Sequence, residues 1–345
     1  MQNLERYSRQ MRVGVVGASG QQALRRASVL IVGCGALGTH LAEGLTRAGV
    51  GRLDLVDRDI VEWSNLQRQV LFTEGDAREG LPKAVAARDR LREINADVEL
   101  HAHVANCSPA FLDELSVRPD LVLDGTDNFP TRYLINDWCR KRDLPWIYAG
   151  AVGTEGAAMV VRSDGPCLRC LWPEAPHQAD VGSCETSGIL MPAIGAVTSF
   201  QLAEAFKLLV GAETSRGVFT CDVWRGQYAL VPAGQGPASD CAVCAHGEHP
   251  ALQQTAEHAV SMCGRDAVQI EPPAATNPGG PATTIDLDQL ATGLAGSVQA
   301  LQRTPHLLRF EVDGVRFTVF PGGRALLFGV TDPLRGRALY DRWLL

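Results

Sequence analysis

Two groups of residues in this chain have the types and spacing to do chemistry. The first is a pair of Cys-x-x-Cys motifs, Cys167-Leu-Arg-Cys170 and Cys241-Ala-Val-Cys244. Each pair can grip one side of a tetrahedral cation. Four thiolates leave no open position, so the expected ion is a structural Zn2+ and not a catalytic one. The 70 residues between the pairs must return in space, so the metal would tie two distant stretches together. His246 and His249 sit close to the second pair and are read as solvated bystanders.

The second group surrounds Gly33-Cys-Gly35-Ala-Leu-Gly38. Glycines at this spacing permit a tight turn and let backbone approach a phosphate at a helix N-terminus. Asp57 follows Gly38 by 19 residues and can accept from ribose hydroxyls. On glycines alone the default ligand is NAD. The polar stretch Asp57-Arg-Asp59-Ile-Val-Glu-Trp-Ser-Asn65-Leu-Gln-Arg68-Gln69 moves the reading elsewhere. A hydride-transfer site needs an apolar nicotinamide pocket, whereas a triphosphate needs cations and a metal. Arg9, Arg68 and Lys83 can supply the cations, and Asp127 can hold Mg2+. Any one of them alone would pass for a surface charge; their joint appearance at strand ends would not. Lys83 is one of only three lysines among 32 basic residues.

These residues need elements to hold them. Ser28–Gly33 and Arg52–Asp57 read as short buried strands, the first followed by a helix over Leu37–Ala48. A helix over Lys83–Asn95, strands at Val98–Val104 and Leu121–Asp124, a helix over Thr131–Arg142 and a strand at Trp146–Ala149 continue the alternation. Strand–helix alternation predicts a doubly wound α/β sheet that binds ligands at its strands' carboxyl ends. Beyond Gly150, Ala157–Arg162 and Gly217–Trp224 read as further, antiparallel strands around a long apolar helix. The expected organisation is an ATP-binding domain at 1–250 and a small α+β domain at 251–345, with a Pro/Gly-rich loop at 271–281. The tail's expected elements are a strand at Ala267–Ile270, a helix at Leu287–Leu294, strands at Leu307–Val312, Val315–Phe320 and Ala325–Gly329, and a last helix from Leu334 to Leu344.

Across its first 245 or so positions the chain resembles the ThiF/MoeB/HesA family, bacterial relatives of ubiquitin-activating enzymes. The resemblance rests on Arg6-Tyr-Ser-Arg9-Gln, the glycine loop, Asp57, Ser64-Asn-Leu-Gln-Arg-Gln69, Pro82-Lys83, Gly125-Thr-Asp-Asn128 with Arg132, and the two cysteine pairs. Ala36 and Gly125 depart from the pattern, where many members carry glycine and cysteine; neither removes a charge. The resemblance implies adenylylation of the C-terminal glycine of a ubiquitin-like sulfur carrier ending in Gly-Gly. It also implies a nucleotide held by Gly33, Gly35, Gly38, Asp57, Asn65, Arg68, Lys83, Asp127 and Asn128. Arg9 would reach the neighbouring subunit's ATP, which requires a homodimer. A sulfurtransferase or cysteine desulfurase is a further expected partner. Cys184, in a polar loop before the apolar helix, is a candidate nucleophile.

Composition sets the remaining bounds. The net charge of −7 argues against a nucleic-acid or membrane-surface binder. That weakens one alternative, a dehydratase activating a carboxylate on a modified tRNA base; an NAD-dependent oxidoreductase is the other. The N-terminus lacks the apolar run of a secretory signal. The best membrane-span candidate, Ile189–Val210, is interrupted by Pro192 and carries Glu204 and Lys207. A cytoplasmic enzyme is therefore expected, its ten cysteines held as thiols or metal ligands. The tail shows no rhodanese-like active loop.

Overall fold

The structure, a computed structural model of the chain, describes residues 4–174, 187–234, 236–253, 259–261, 266–272 and 285–345. Cys184, Cys263 and most of the expected 271–281 loop lie outside them. The chain divides into two compact units, Met1–Gln254 and Thr255–Leu345.

In the first unit the elements run α1 (Ser8–Met11), α2 (Gly17–Arg26), β1 (Ser28–Val32), α3 (Ala36–Ala48), β2 (Arg52–Val56), α4 (Glu74–Glu79), α5 (Lys83–Ile94) and β3 (Glu99–His103). They continue with α6 (Pro109–Asp113), β4 (Leu121–Asp124), α7 (Phe129–Lys141), β5 (Trp146–Val152), β6 (Glu155–Val161), α8 (Leu168–Leu171), α9 (Met191–Val210), β7 (Val218–Asp222) and β8 (Gln227–Val231). The eight strands form one sheet in the order β3-β2-β1-β4-β5-β6-β7-β8. The pairings from β3 to β5 are parallel, and those from β5 to β8 are antiparallel. Every residue of β1 is buried, as a central parallel strand covered on both faces requires.

The chain leaves β1 toward β2 and β3 on one side and returns to β4 and β5 on the other. The carboxyl ends of β1 and β4 therefore bound the crevice where such sheets bind ligands. One core packs α3 and α5 residues such as Leu41, Leu45 and Leu91 under β1–β3. A second packs Tyr133, Ile135 and Trp138 of α7 against Trp146 and the cysteine loops, and a smaller third joins Leu37 to Ile194 and Val197 of α9.

Among the described residues, only α9 is long and apolar enough to cross a membrane. Here it packs on α3 and on β5–β7, and buries Gln201 and Glu204. Pro192 sits in its first turn, where a missing N–H costs nothing.

The second unit is a six-stranded antiparallel sheet, in the order β11-β12-β13-β14-β10-β9. Its elements are β9 (Ala259–Ser261), β10 (Ala267–Ile270), α10 (Leu287–Leu294), β11 (Gln299–Thr304), β12 (Leu307–Val312), β13 (Val315–Val319), β14 (Ala325–Phe328) and α11 (Pro333–Leu344). Stacked Phe310 and Phe317 centre its core. Three edge strands, β8, β9 and β11, escaped the sequence reading. β8 is exposed along its length, and β11 almost so, which erases the two-residue alternation that marks a half-buried strand.

Candidate functional site

The glycine loop turns from β1 into α3 through Gly33, whose φ of +91° disfavours any side chain. Its glycines do different jobs. A Cβ on Gly38 would lie 1.8 Å from the Gly33 carbonyl oxygen, and one on Gly125 would lie 2.5 Å from the same atom. Gly33, Gly38 and Gly125 thus interlock by backbone contact, joining the end of β1, the start of α3 and the end of β4. This explains the glycine at 125: in this chain no side chain fits there without a backbone shift. Gly35 is different, because a Cβ there would meet nothing closer than 3.9 Å. Gly35 is also the N-cap of α3 and supplies no side-chain cap, so the helix's first N–H groups stay open to an anion.

Asp57 ends β2 beside this loop. Its carboxylate accepts from the Cys34 N–H (2.7 Å) and the Asp59 N–H (2.7 Å). Burial raises its pKa above the ordinary carboxylate value, with the Lys83 ammonium pulling the other way. Lys83 opens α5 and is itself buried, its Nζ 3.3 Å from an Asp59 carboxylate oxygen. Asp59 is a site residue the sequence reading passed over: it orients Lys83 through both this ion pair and its carbonyl, which accepts the Lys83 N–H.

Asn65 and Arg68 lie on the turn between β2 and α4. The Asn65 side-chain Oδ1 accepts the Glu62 N–H (3.0 Å), so only its side-chain NH2 can be offered to a phosphate. Arg68 is half-buried and leans on the Ser64 carbonyl (2.8 Å). Gln69, also unassigned from sequence, is buried against Gly35 with its Oε1 unpartnered.

Across the crevice, the segment after β4 is built on a buried ion pair. Asp124 accepts from Thr126 N–H (2.9 Å), Thr126 Oγ1 (2.6 Å) and Arg132 Nε (3.3 Å). Arg132 also donates to the Thr126 carbonyl (3.0 Å) and lies over the Phe129 and Tyr148 rings. This scaffold holds Asp127 at the surface. Asn128 caps α7 through the Thr131 N–H (3.0 Å) and donates to Asp127 (3.2 Å), so it shapes the turn that carries the acid.

Arg9 does not join this group. Tyr7 packs where α3 ends at Gly49, and its hydroxyl accepts from Asn95, the residue capping α5 (2.8 Å). Both helices begin at the glycine-loop end of the sheet and run about 18–20 Å at 1.5 Å per residue. Arg9 is exposed at their far ends.

The four cysteines do meet. Their sulfurs all lie within 4.8 Å of one another, with Cys167–Cys241 at 3.7 Å, Cys167–Cys170 at 3.8 Å and Cys170–Cys244 at 3.7 Å. A tetrahedral Zn2+ with bonds of about 2.3 Å needs sulfurs about 3.8 Å apart, so the cluster fits that ion. Hydrogen bonding to Cys244, together with burial, holds the Cys167 thiol's pKa up; a bound cation reverses this. His246 is exposed, as expected. His249 is instead half-buried, its pKa lowered by burial, and neither histidine joins the sulfur cluster.

A sheet with its ligand crevice at a switch point, a glycine loop opening a helix, and an acid ending the next strand together define a Rossmann-like nucleotide-binding protein, here carrying a four-cysteine knot. The chain belongs to the ThiF family, whose model matches residues 7–243. It is 37% identical over 341 residues to the sulfur carrier protein ThiS adenylyltransferase of Bacillus subtilis, covering 98% of this chain and 99% of that one. It is 40% identical over 246 residues to the SAMP-activating enzyme E1 of Haloferax volcanii, covering 71% of this chain and 90% of that one. The crystal structure of Escherichia coli MccB with MccA-N7isoASN shares the fold, with a TM-score of 0.61 at 21% identity, over 71% of this chain and 75% of that one.

Proposed function

We propose that this ThiF-family adenylyltransferase activates the C-terminal glycine carboxylate of a ubiquitin-like sulfur carrier ending in Gly-Gly, ahead of thiocarboxylate formation. The observation that carries the reading is the convergence of Gly35, Asp57, Lys83 and Asp127 at the carboxyl ends of adjacent parallel strands. A carboxylate oxygen of the carrier attacks the α-phosphorus of ATP. The bond to the β,γ-phosphates breaks, leaving an acyl-adenylate and pyrophosphate. The nucleophile is already an anion, so the protein needs no general base. Its work is positioning and charge neutralisation.

Asp57 accepts from the ribose hydroxyls. The open N–H groups of α3 and the Lys83 ammonium face the phosphates, joined by Arg68 and the Asn65 amide. Asp127 would hold Mg2+, which when bound neutralises charge near the α-phosphate. Arg9 stands about one helix length, roughly 20 Å, from the loop that it should serve, at the wrong end of α3. It therefore reaches a nucleotide only in a second copy of the chain, and a homodimer completes the site. The four cysteines would hold Zn2+ as a closed, structural tie. ATP–pyrophosphate exchange should appear only when a carrier ending in Gly-Gly is added; exchange that ignores the carrier defeats the reading.

A further inference from the structure

Helix α7 carries two consecutive polar side chains, Asn136 and Asp137, neither with any exposure to solvent. Buried polar groups inside a helix are costly unless they are fully partnered. Apart from the bond between the two, their partners lie in the first cysteine loop and in the turn at Pro250–Leu252 that follows the second. Asn136 Oδ1 accepts the Leu168 N–H (2.9 Å), while Nδ2 donates to Cys167 Sγ (3.7 Å) and to Asp137 Oδ1 (3.1 Å). Asp137 in turn accepts from Arg169 Nε (2.9 Å) and Nη2 (3.1 Å), and from the Ala251 N–H (3.0 Å).

The sulfurs differ in what donates to them. Cys170 Sγ accepts the Ala238 N–H (3.3 Å), and Cys241 Sγ accepts the Cys244 N–H (3.5 Å). Both donors are backbone groups of the loops themselves. Cys167, the most enclosed of the four, is faced by the Cys170 N–H of its own loop and in addition takes a donor from a side chain on a different element. Four thiolates around one divalent cation leave two negative charges in a buried site. Such a site is held by the N–H groups that point at its sulfurs.

We propose that Asn136 is the positioning residue of the cysteine knot: its amide fixes the Cys167 thiolate and slows loss of the metal. The proposal rests on the zinc reading above and goes beyond it by assigning a residue that is not a ligand. Its amide has two donors and one main acceptor direction, and the knot and Asp137 use all of them. A hydrocarbon or a longer amide at 136 cannot reproduce that set.

The test compares Asn136→Ala with Asp137→Asn in the full-length protein. Asp137→Asn loosens the Arg169 contact without removing a donor to sulfur. Zinc release to a chromophoric chelator should be about 10–100-fold faster in Asn136→Ala. The sulfur-to-metal charge-transfer band of the Co2+-substituted protein should also shift in Asn136→Ala and stay in place in Asp137→Asn. Unchanged release and an unmoved band overturn the proposal, as does an equal band shift in both variants. Wild-type protein that takes up no zinc removes the metal reading along with it, whereas zinc-loaded wild type beside an indifferent Asn136→Ala removes only this proposal. Should Asn136→Ala not fold, 113Cd-substituted wild type decides. A coupling from 113Cd to an Asn136 amide proton supports the assignment. Its absence, where couplings to the Ala238 and Cys244 amide protons are seen, overturns it.

Discussion

The nucleotide crevice and the cysteine knot both lean on α7, the first at its N-cap and the second at its middle turns, and they are built on opposite principles. The knot is closed: sulfurs face sulfurs at tetrahedral spacing, and Asn136, Asp137 and the loop N–H groups are partnered around it, with His249 Nδ1 at its margin the one buried polar atom there left without a partner among the described residues. The crevice is left unfinished. The first turn of α3 has no side-chain cap, Gln69 Oε1 has no partner, and Asp127 faces solvent. The unfinished groups are those a nucleotide can complete, which is the contrast the proposed roles of the two sites require.

The comparison breaks first at the knot. Cys167→Ala removes one of the four proposed zinc ligands and should cost roughly 4 kcal/mol or more of stability, with zinc content falling in parallel. A variant that keeps its zinc and its melting temperature would make the knot ornamental. At the crevice the expected cost falls on function instead. Lys83→Ala should lower ATP–pyrophosphate exchange about 10²–10³-fold, and Lys83→Arg should also be impaired, because a guanidinium fork does not fit a buried slot shaped for one ammonium beside Asp59. Full activity in Lys83→Arg would show that charge alone matters there. The raised pKa of Asp57 adds a pH signature. The proposed ribose role needs the ionised acid, so nucleotide affinity should fall on acidification, starting above the ordinary aspartate value of about 3.9. Calorimetric titration across pH checks this.

The glycines sharpen the same contrast within one loop. Gly38→Ala drives a Cβ into the Gly33 carbonyl and should destabilise the protein by about 3 kcal/mol. Gly35→Ala meets nothing and should leave stability within about 0.5 kcal/mol while weakening nucleotide binding. Thermal unfolding beside a binding measurement separates a packing glycine from a ligand-facing one. Equal losses of stability would dissolve the distinction.

The contrast also explains what could be read from the chain before its fold. The glycine loop, Asp57 at the end of β2, Lys83 at the start of α5 and the paired cysteines were all legible, since each is a local pattern with a local cause. The groups that hold them were not. Asp59 meets Lys83 across 24 residues, Asn136 meets Cys167 across 31, and Tyr7 meets Asn95 across 88. No periodicity encodes such partners; only the closing of the sheet brings them together. His249 was misjudged for the same reason, because its burial comes from packing near Asp137 on a distant helix.

The smallest expected effect lies at the Tyr7 contact. Tyr7→Phe keeps the ring against Gly49 and deletes only the hydroxyl that accepts from Asn95. Asn95 also donates to the Thr46 carbonyl, so its amide is not abandoned, and the stability loss should be only about 1 kcal/mol. The consequence for exchange should exceed that, because Tyr7 anchors the segment that carries Arg9. If Arg9 works on the other subunit's nucleotide, a mixed dimer separates the roles. A Tyr7→Phe, Lys83→Ala double-mutant subunit paired with wild type has one crevice with neither defect in its own residues, yet served by the altered arm. The other crevice is already silenced. The remaining exchange should therefore fall below that of the dimer pairing Lys83→Ala with wild type. Equal rates would return Arg9 to its own subunit, or to no role at all.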